Sequence, residues 1–109
     1  MTAPAPLPGR RSDEAFVPAA LDRVHPCPAR SDYIEVCFTT PAGPFQWCFP
    51  EPPHCPAEPG GPLALTLGRY GVQAHEFADG AVGPALPSSS ALPMILAGAE
   101  VHIARHLLP

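Results

Sequence analysis

Residues 33–49, YIEVCFTTPAGPFQWCF, limit this chain more than any other stretch. Ile34, Val36 and Phe38 alternate with Glu35, Cys37 and Thr39, the period-2 pattern of a half-buried strand. Phe45, Trp47 and Phe49 alternate with Gln46 and Cys48 in the same way. Pro41, Ala42, Gly43 and Pro44 lie between the two runs and are turn formers. With those four as the loop, Thr40 stands opposite Phe45, Phe38 faces Trp47 and Val36 faces Phe49. The apolar residues then share one face, and Cys37 lies directly opposite Cys48 on the other. A three-residue loop would turn Gln46 and Cys48 onto the apolar face, which a buried sheet rejects. The four-residue loop is therefore the expected register.

The rest of the chain is harder to order. Eighteen of the 109 residues are proline, concentrated in residues 4–8, 18–28, 41–62 and 84–93, so extended and loop structure should dominate. Residues 1–15 carry proline, alanine and charge with no repeating apolar face and read as a disordered tail. Phe16 to Val24 fits one or two helical turns with Pro18 in the first, and His25-Pro26-Cys27-Pro28 reads as an extended connector. The expected boundary falls at residue 30: residues 1–30 a mostly disordered Pro/Ala-rich tail, residues 31–109 a single small domain. That leaves roughly 75 residues for the packed part, a marginal size for a hydrophobic core.

Residues 50–62 hold prolines at 50, 52, 53, 56, 59 and 62 and form a long loop. Leu63, Leu65 and Leu67 alternate with Ala64 and Thr66 and suggest a strand. A further strand over 72–77 stops at Asp79-Gly80, and residues 63–77 are either a hairpin or one bent strand. Residues 81–87 read as loop. Ser88-Ser89-Ser90 offers an N-cap, Pro93 suits a first turn, and Leu92, Ile95, Leu96, Ala99, Ile103 and Leu107 make one helical stripe. The expected helix spans 91–107, with Gly98 weakening its middle by about 1 kcal/mol relative to alanine; a short strand beginning near Glu100 is the competing reading. The fold expected from these elements is α+β: a small antiparallel sheet of three to four strands packed by one C-terminal α-helix.

Charge narrows function. The net charge is −4 and no basic cluster exceeds Arg10-Arg11, so a phosphate-binding face for nucleic acid is not expected. The N-terminus lacks the apolar core of a signal peptide, and the apolar run 91–99 is too short to span a bilayer. A soluble cytoplasmic protein with reduced cysteines is the expectation. All six basic residues are arginine and asparagine is absent, as a GC-rich coding sequence of a bacterium or its phage would give. An unselected reading frame has the same composition.

Four cysteines and two nearby histidines make the one chemical constellation. Cys27, Cys37, Cys48 and Cys55 could supply four thiolates to a structural zinc ion, with Cys37 and Cys48 roughly 4.5–5.5 Å apart at Cβ across the hairpin. The CxxC knuckles of zinc modules are absent. A Cys37–Cys48 disulfide fits the same register, and four unlinked cysteines packed as small apolar residues need no special function. His102 and His106 have the i, i+4 spacing of a helical metal pair, but HIARH lacks the glutamate of a metalloprotease. His75 and Glu76 would point to opposite faces of a strand, and no nucleophile–base–acid set stands out. The expected function is a small non-catalytic protein-interaction or accessory module that uses no cofactor and acts on a protein partner. Homodimerisation through a sheet edge is one route for it. Neither nucleic acid nor membrane is expected as partner. The zinc module on the four cysteines and the unselected reading frame are the alternatives.

Overall fold

The structure, a computed structural model, describes residues 15–51 and 61–108. Seven strands form one sheet: β1 (Phe16–Pro26), β2 (Tyr33–Thr40), β3 (Gly43–Pro50), β4 (Leu63–Gly68), β5 (Gly71–Ala78), β6 (Ala81–Ala85) and β7 (Val101–Ala104). A six-residue helix, α1 (Ala91–Leu96), precedes β7, and a single 3₁₀ turn, Arg105–Leu107, follows it. The strand order is β3-β2-β1-β7-β4-β5-β6. Neighbours are antiparallel except β4 and β7, which run parallel.

β1 organises this sheet by changing partner along its length. Phe16 to Ala19 pair with β7, whereas Ala20 to Pro26 pair with β2. The register slips between Leu21 and Arg23, and such a bulge bends a strand and increases its twist, the device by which a strand turns a corner between two sheets. Partner switching also explains how β1 tolerates Pro18 and Pro26. Each proline lies in a half that pairs on one side only, so a missing N–H need not interrupt a two-sided ladder.

The hairpin β2–β3 is thereby brought against β4, β5 and β7. Val36, Phe38 and Phe49 share one buried cluster with Leu63, Leu65, Val101 and Ile103, and Ala91, Leu92 and Ile95 of α1 join it. Full burial of a side chain of Leu, Ile or Phe size contributes about 1.5–3 kcal/mol, so this shared core holds the two halves together.

The α+β expectation is overturned. Among the described residues the molecule is mainly β, with seven strands and one short helix, and not a sheet of three or four strands under a long C-terminal helix. A lone β-hairpin is likewise a poor description of the chain, because most of the core comes from strands outside residues 33–49. The stretch 16–26, expected as tail and helical turns, is β1, and residues 81–85, expected as loop, are β6. Residues 63–77 resolve into two strands joined at Arg69-Tyr70.

The helix expected over 91–107 ends at Leu96 because Gly98 adopts φ +98°, which an L-residue rarely does. Gly98 N–H donates to Ile95 O and Ala99 N–H to Met94 O, the paired bonds of a Schellman termination. The chain then re-enters the sheet at Val101, as the competing reading had it. Ser90 holds the N-cap position without a side-chain cap bond, and Pro93 lies in the first turn as expected. Among the described residues no helix is long and apolar enough to cross a membrane.

The hairpin register also differs from expectation. Thr40 pairs with Gly43, Phe38 with Phe45, Val36 with Trp47 and Ile34 with Phe49, so the loop is Pro41-Ala42 alone. Thr40 closes it: Ala42 N–H donates to Thr40 Oγ1 at 3.0 Å, and that hydroxyl donates to Gly43 O at 2.6 Å. The shift is two residues, which preserves both faces while changing every partner. Cys37 now faces Gln46, and Cys48 faces Glu35.

Candidate functional site

Two features of the folded chain have the makings of a site, and both are built on the β2–β3 hairpin. The first is a groove of about 570 Å³ between that hairpin and the β4–β5 turn. Its apolar lining comes from Tyr33, Trp47, Phe49, Tyr70, Val72 and Leu86. Trp47 can lie along β5 because position 71 is glycine. A Cβ there would fall 2.7 Å from the Trp47 ring, and φ at Gly71 is +122°. Both the close approach and the backbone conformation therefore require glycine.

Two guanidiniums flank the groove. Arg30 lies 3.7 Å above the centre of the Tyr33 ring, a cation–π contact that fixes its position. Arg69 sits in the β4–β5 turn beside Tyr70, a residue 93% exposed. Neither arginine has an acidic partner among the described residues. The volume is in the range of ligand and peptide pockets, and an aromatic wall with a few oriented polar groups is their usual composition.

The second feature is where the expected metal ligands fall, on the hairpin face that carries Glu35, Cys37 and Cys48. Cys27 and Cys48 are joined in a disulfide with Cα atoms 5.9 Å apart. The bond ties the end of β1 to β3 across the intervening β2. Bonded to each other, these two sulfurs are not available as thiolates to a metal. Cys37 is free and buried, so the Cys37–Cys48 pairing expected from the hairpin is replaced by Cys27–Cys48. Cys55, the fourth member of the expected set, lies outside the described residues.

Cys37 instead meets His25, one of the two histidines near the cysteines in the sequence, and Glu35, which had not been grouped with them. His25 pairs directly with Glu35 across β1–β2, and Glu35 and Cys37 are two apart on β2 and share a face. One ligand atom from each of His25, Glu35 and Cys37 lies within 4.8 Å of the others. His25 Nε2 and Glu35 Oε1 are 2.6 Å apart, and Gln46 Nε2 donates to Glu35 Oε2 at 3.1 Å. Period-2 alternation placed Glu35 and Cys37 on one face. Missing from the sequence was the β1–β2 pairing that brings His25 opposite.

Among the described residues the remaining histidines, His75, His102 and His106, do not form a site. His102 is on β7, with Nε2 2.6 Å from Glu100 Oε2 and its ring against Phe77, while His106 is in the 3₁₀ turn; the helical pair does not exist. His75 is held by Thr66 Oγ1 at 3.0 Å and Gly83 O at 3.2 Å, so both ring nitrogens have structural partners. No known protein family, curated protein or solved structure matches this chain.

Proposed function

We propose that the protein is a non-catalytic interaction module whose groove takes an extended, acidic segment of a partner protein. The observation that carries this reading is the pairing of an aromatic-lined groove with two arginines that have no acidic partner among the described residues, in a chain of net charge −4. Tryptophan, tyrosine and arginine are the residue types that dominate binding energy at protein interfaces. Arginine reads carboxylates through paired N–H donors. An overall acidic chain with a local basic spot would repel most acidic surfaces and favour one that fits the groove.

The sheet edges support the groove over edge pairing. β3 ends the sheet on one side and carries Pro44 and Pro50; β6 ends it on the other and carries Pro84. Prolines on an edge blunt strand addition. The compartment belongs to the same reading. A cytoplasmic location would hold cysteines reduced, whereas the Cys27–Cys48 bond supports an oxidising one.

Selection of random peptides against the immobilised protein tests the proposal. Enriched peptides should combine Asp or Glu with an aromatic or aliphatic residue. They should bind the Arg30→Glu/Arg69→Glu variant at least about tenfold more weakly, equivalent to one lost charge-assisted contact of about 1.4 kcal/mol. Enriched peptides without acidic residues, or equal affinity for the variant, would refute it. A concentration-dependent dimer abolished by the same double variant would replace the peptide with a second copy of the chain.

A further inference from the structure

The His25–Glu35–Cys37 cluster has a composition that ion pairing alone does not explain. An exposed His–Glu pair contributes little to stability, on the order of 0–1 kcal/mol, and needs no thiol beside it. Here the side chain of Glu35 is 15% exposed and that of His25 37%, while Cys37 is buried, at 6%. The face of β2 that carries Glu35 and Cys37 thus offers, together with His25 of β1, one imidazole, one carboxylate and one thiol from two paired strands. We propose that His25, Glu35 and Cys37 bind a single zinc-class divalent ion through three protein ligands, leaving a fourth position for water or an incoming ligand.

The donor set selects the class of ion. Thiolate and imidazole together favour zinc and its softer neighbours and disfavour magnesium and calcium, which take oxygen ligands. The distances are compatible. Tetrahedral zinc with bonds of about 2.0–2.3 Å places its ligands about 3.3–3.8 Å apart. The cluster lies within 4.8 Å overall, and its His25–Glu35 contact is 2.6 Å. Binding therefore opens that contact by less than an ångström and draws the remaining atoms in by about one. Side-chain rotation alone supplies such movements on a fixed pair of strands.

Gln46 occupies the supporting position. It donates to Glu35 Oε2, so Oε1 is the oxygen directed toward His25 and the ion. Partners of this kind hold a metal carboxylate in orientation. The disulfide fixes the strands that carry the ligands and occupies Cys48, the residue directly opposite Glu35. Among the described residues the coordination therefore comprises three protein ligands, and with Cys27 and Cys48 bonded to each other it differs from the four-sulfur arrangement expected from the sequence.

Cobalt(II) titration of the oxidised Cys55→Ser protein tests the site, since Cys37 is then the only thiol and the four-sulfur set cannot form. The expected result is a thiolate-to-cobalt charge-transfer band that saturates at one equivalent and is displaced by zinc. Cys37→Ser should abolish the band. His25→Ala, at a partly exposed position that leaves the core intact, should weaken binding at least about tenfold, as should Glu35→Gln. If Cys37→Ser fails to fold, the two other variants still decide. Absence of the band, or a band with unchanged affinity in both His25→Ala and Glu35→Gln, would overturn the proposal.

Discussion

Gly98→Ala separates two accounts of the C-terminal third by the sign of its effect. If residues 91–107 formed one continuous helix, Gly98 would be an interior glycine, and alanine would stabilise the protein by up to about 1 kcal/mol. In the structure, Gly98 has φ +98° and terminates α1. A Cβ built at this position meets nothing within 4 Å, so no steric clash contributes. The cost is the backbone's alone: about 1–2 kcal/mol for placing an L-residue in the left-handed region. Alanine also reduces the freedom of the unfolded chain, which offsets that cost by up to about 1 kcal/mol. The net expectation is destabilisation of up to about 2 kcal/mol. Urea unfolding of both proteins, followed by far-UV circular dichroism and compared at a common slope, measures it. A higher midpoint for Gly98→Ala would refute both the Schellman termination and the strand that follows it.

Other perturbations read the remaining parts of the fold. The Cys27–Cys48 bond closes a loop of sequence separation 21, for which the chain-entropy relation gives about 3 kcal/mol; Cys27→Ala/Cys48→Ala should lose about that much in denaturant unfolding, and a loss near zero would argue against the pairing. Gly71→Ala brings a Cβ to 2.7 Å from the Trp47 ring at φ +122°, so strain and displacement together should cost about 2–6 kcal/mol. Trp47 is the only tryptophan, and its fluorescence should report the displacement directly. Leu65→Ala, at a fully buried position shared by both halves of the core, should cost about 2–5 kcal/mol, measured by the same unfolding assay.

The faces of β2 and β3 were legible in the sequence and their pairing was not. Alternation assigns Val36, Phe38 and Phe49 to the core correctly, but two registers that differ by two residues bury the same side chains. What separates them is turn chemistry: the Thr40 hydroxyl closes a two-residue loop that the run of Pro41 to Pro44 disguises as four. The cysteine pairing depended on that register and failed with it. β1 was invisible for a different reason. Its bulge at Leu21–Arg23 breaks the period, and its two halves answer to different neighbours, so no single alternation runs along it.

The helix was extended too far because Ile103 and Leu107 continue the spacing of Leu92, Ile95 and Ala99 while belonging to other elements. Periodicity alone does not distinguish a glycine inside a helix from one that ends it. The candidate sites show the same limit. The groove joins Arg30 to Arg69 and Trp47 to Gly71 across the fold, and the His25–Glu35–Cys37 cluster depends on β1 pairing with β2. The residue types were in view, and the contacts between them required the topology.

The groove is the central claim, and chemical-shift mapping tests it most directly. Nitrogen-15-labelled protein would be titrated with an acidic peptide obtained by selection. The account predicts the largest shifts at the Trp47 indole and at the amides of Arg69, Tyr70, Gly71 and Val72, with Phe16, Phe77 and His102 unmoved. Shifts centred on β6 or on the ring contacts of Phe77 with Phe16 and His102, with Trp47 unchanged, would contradict it.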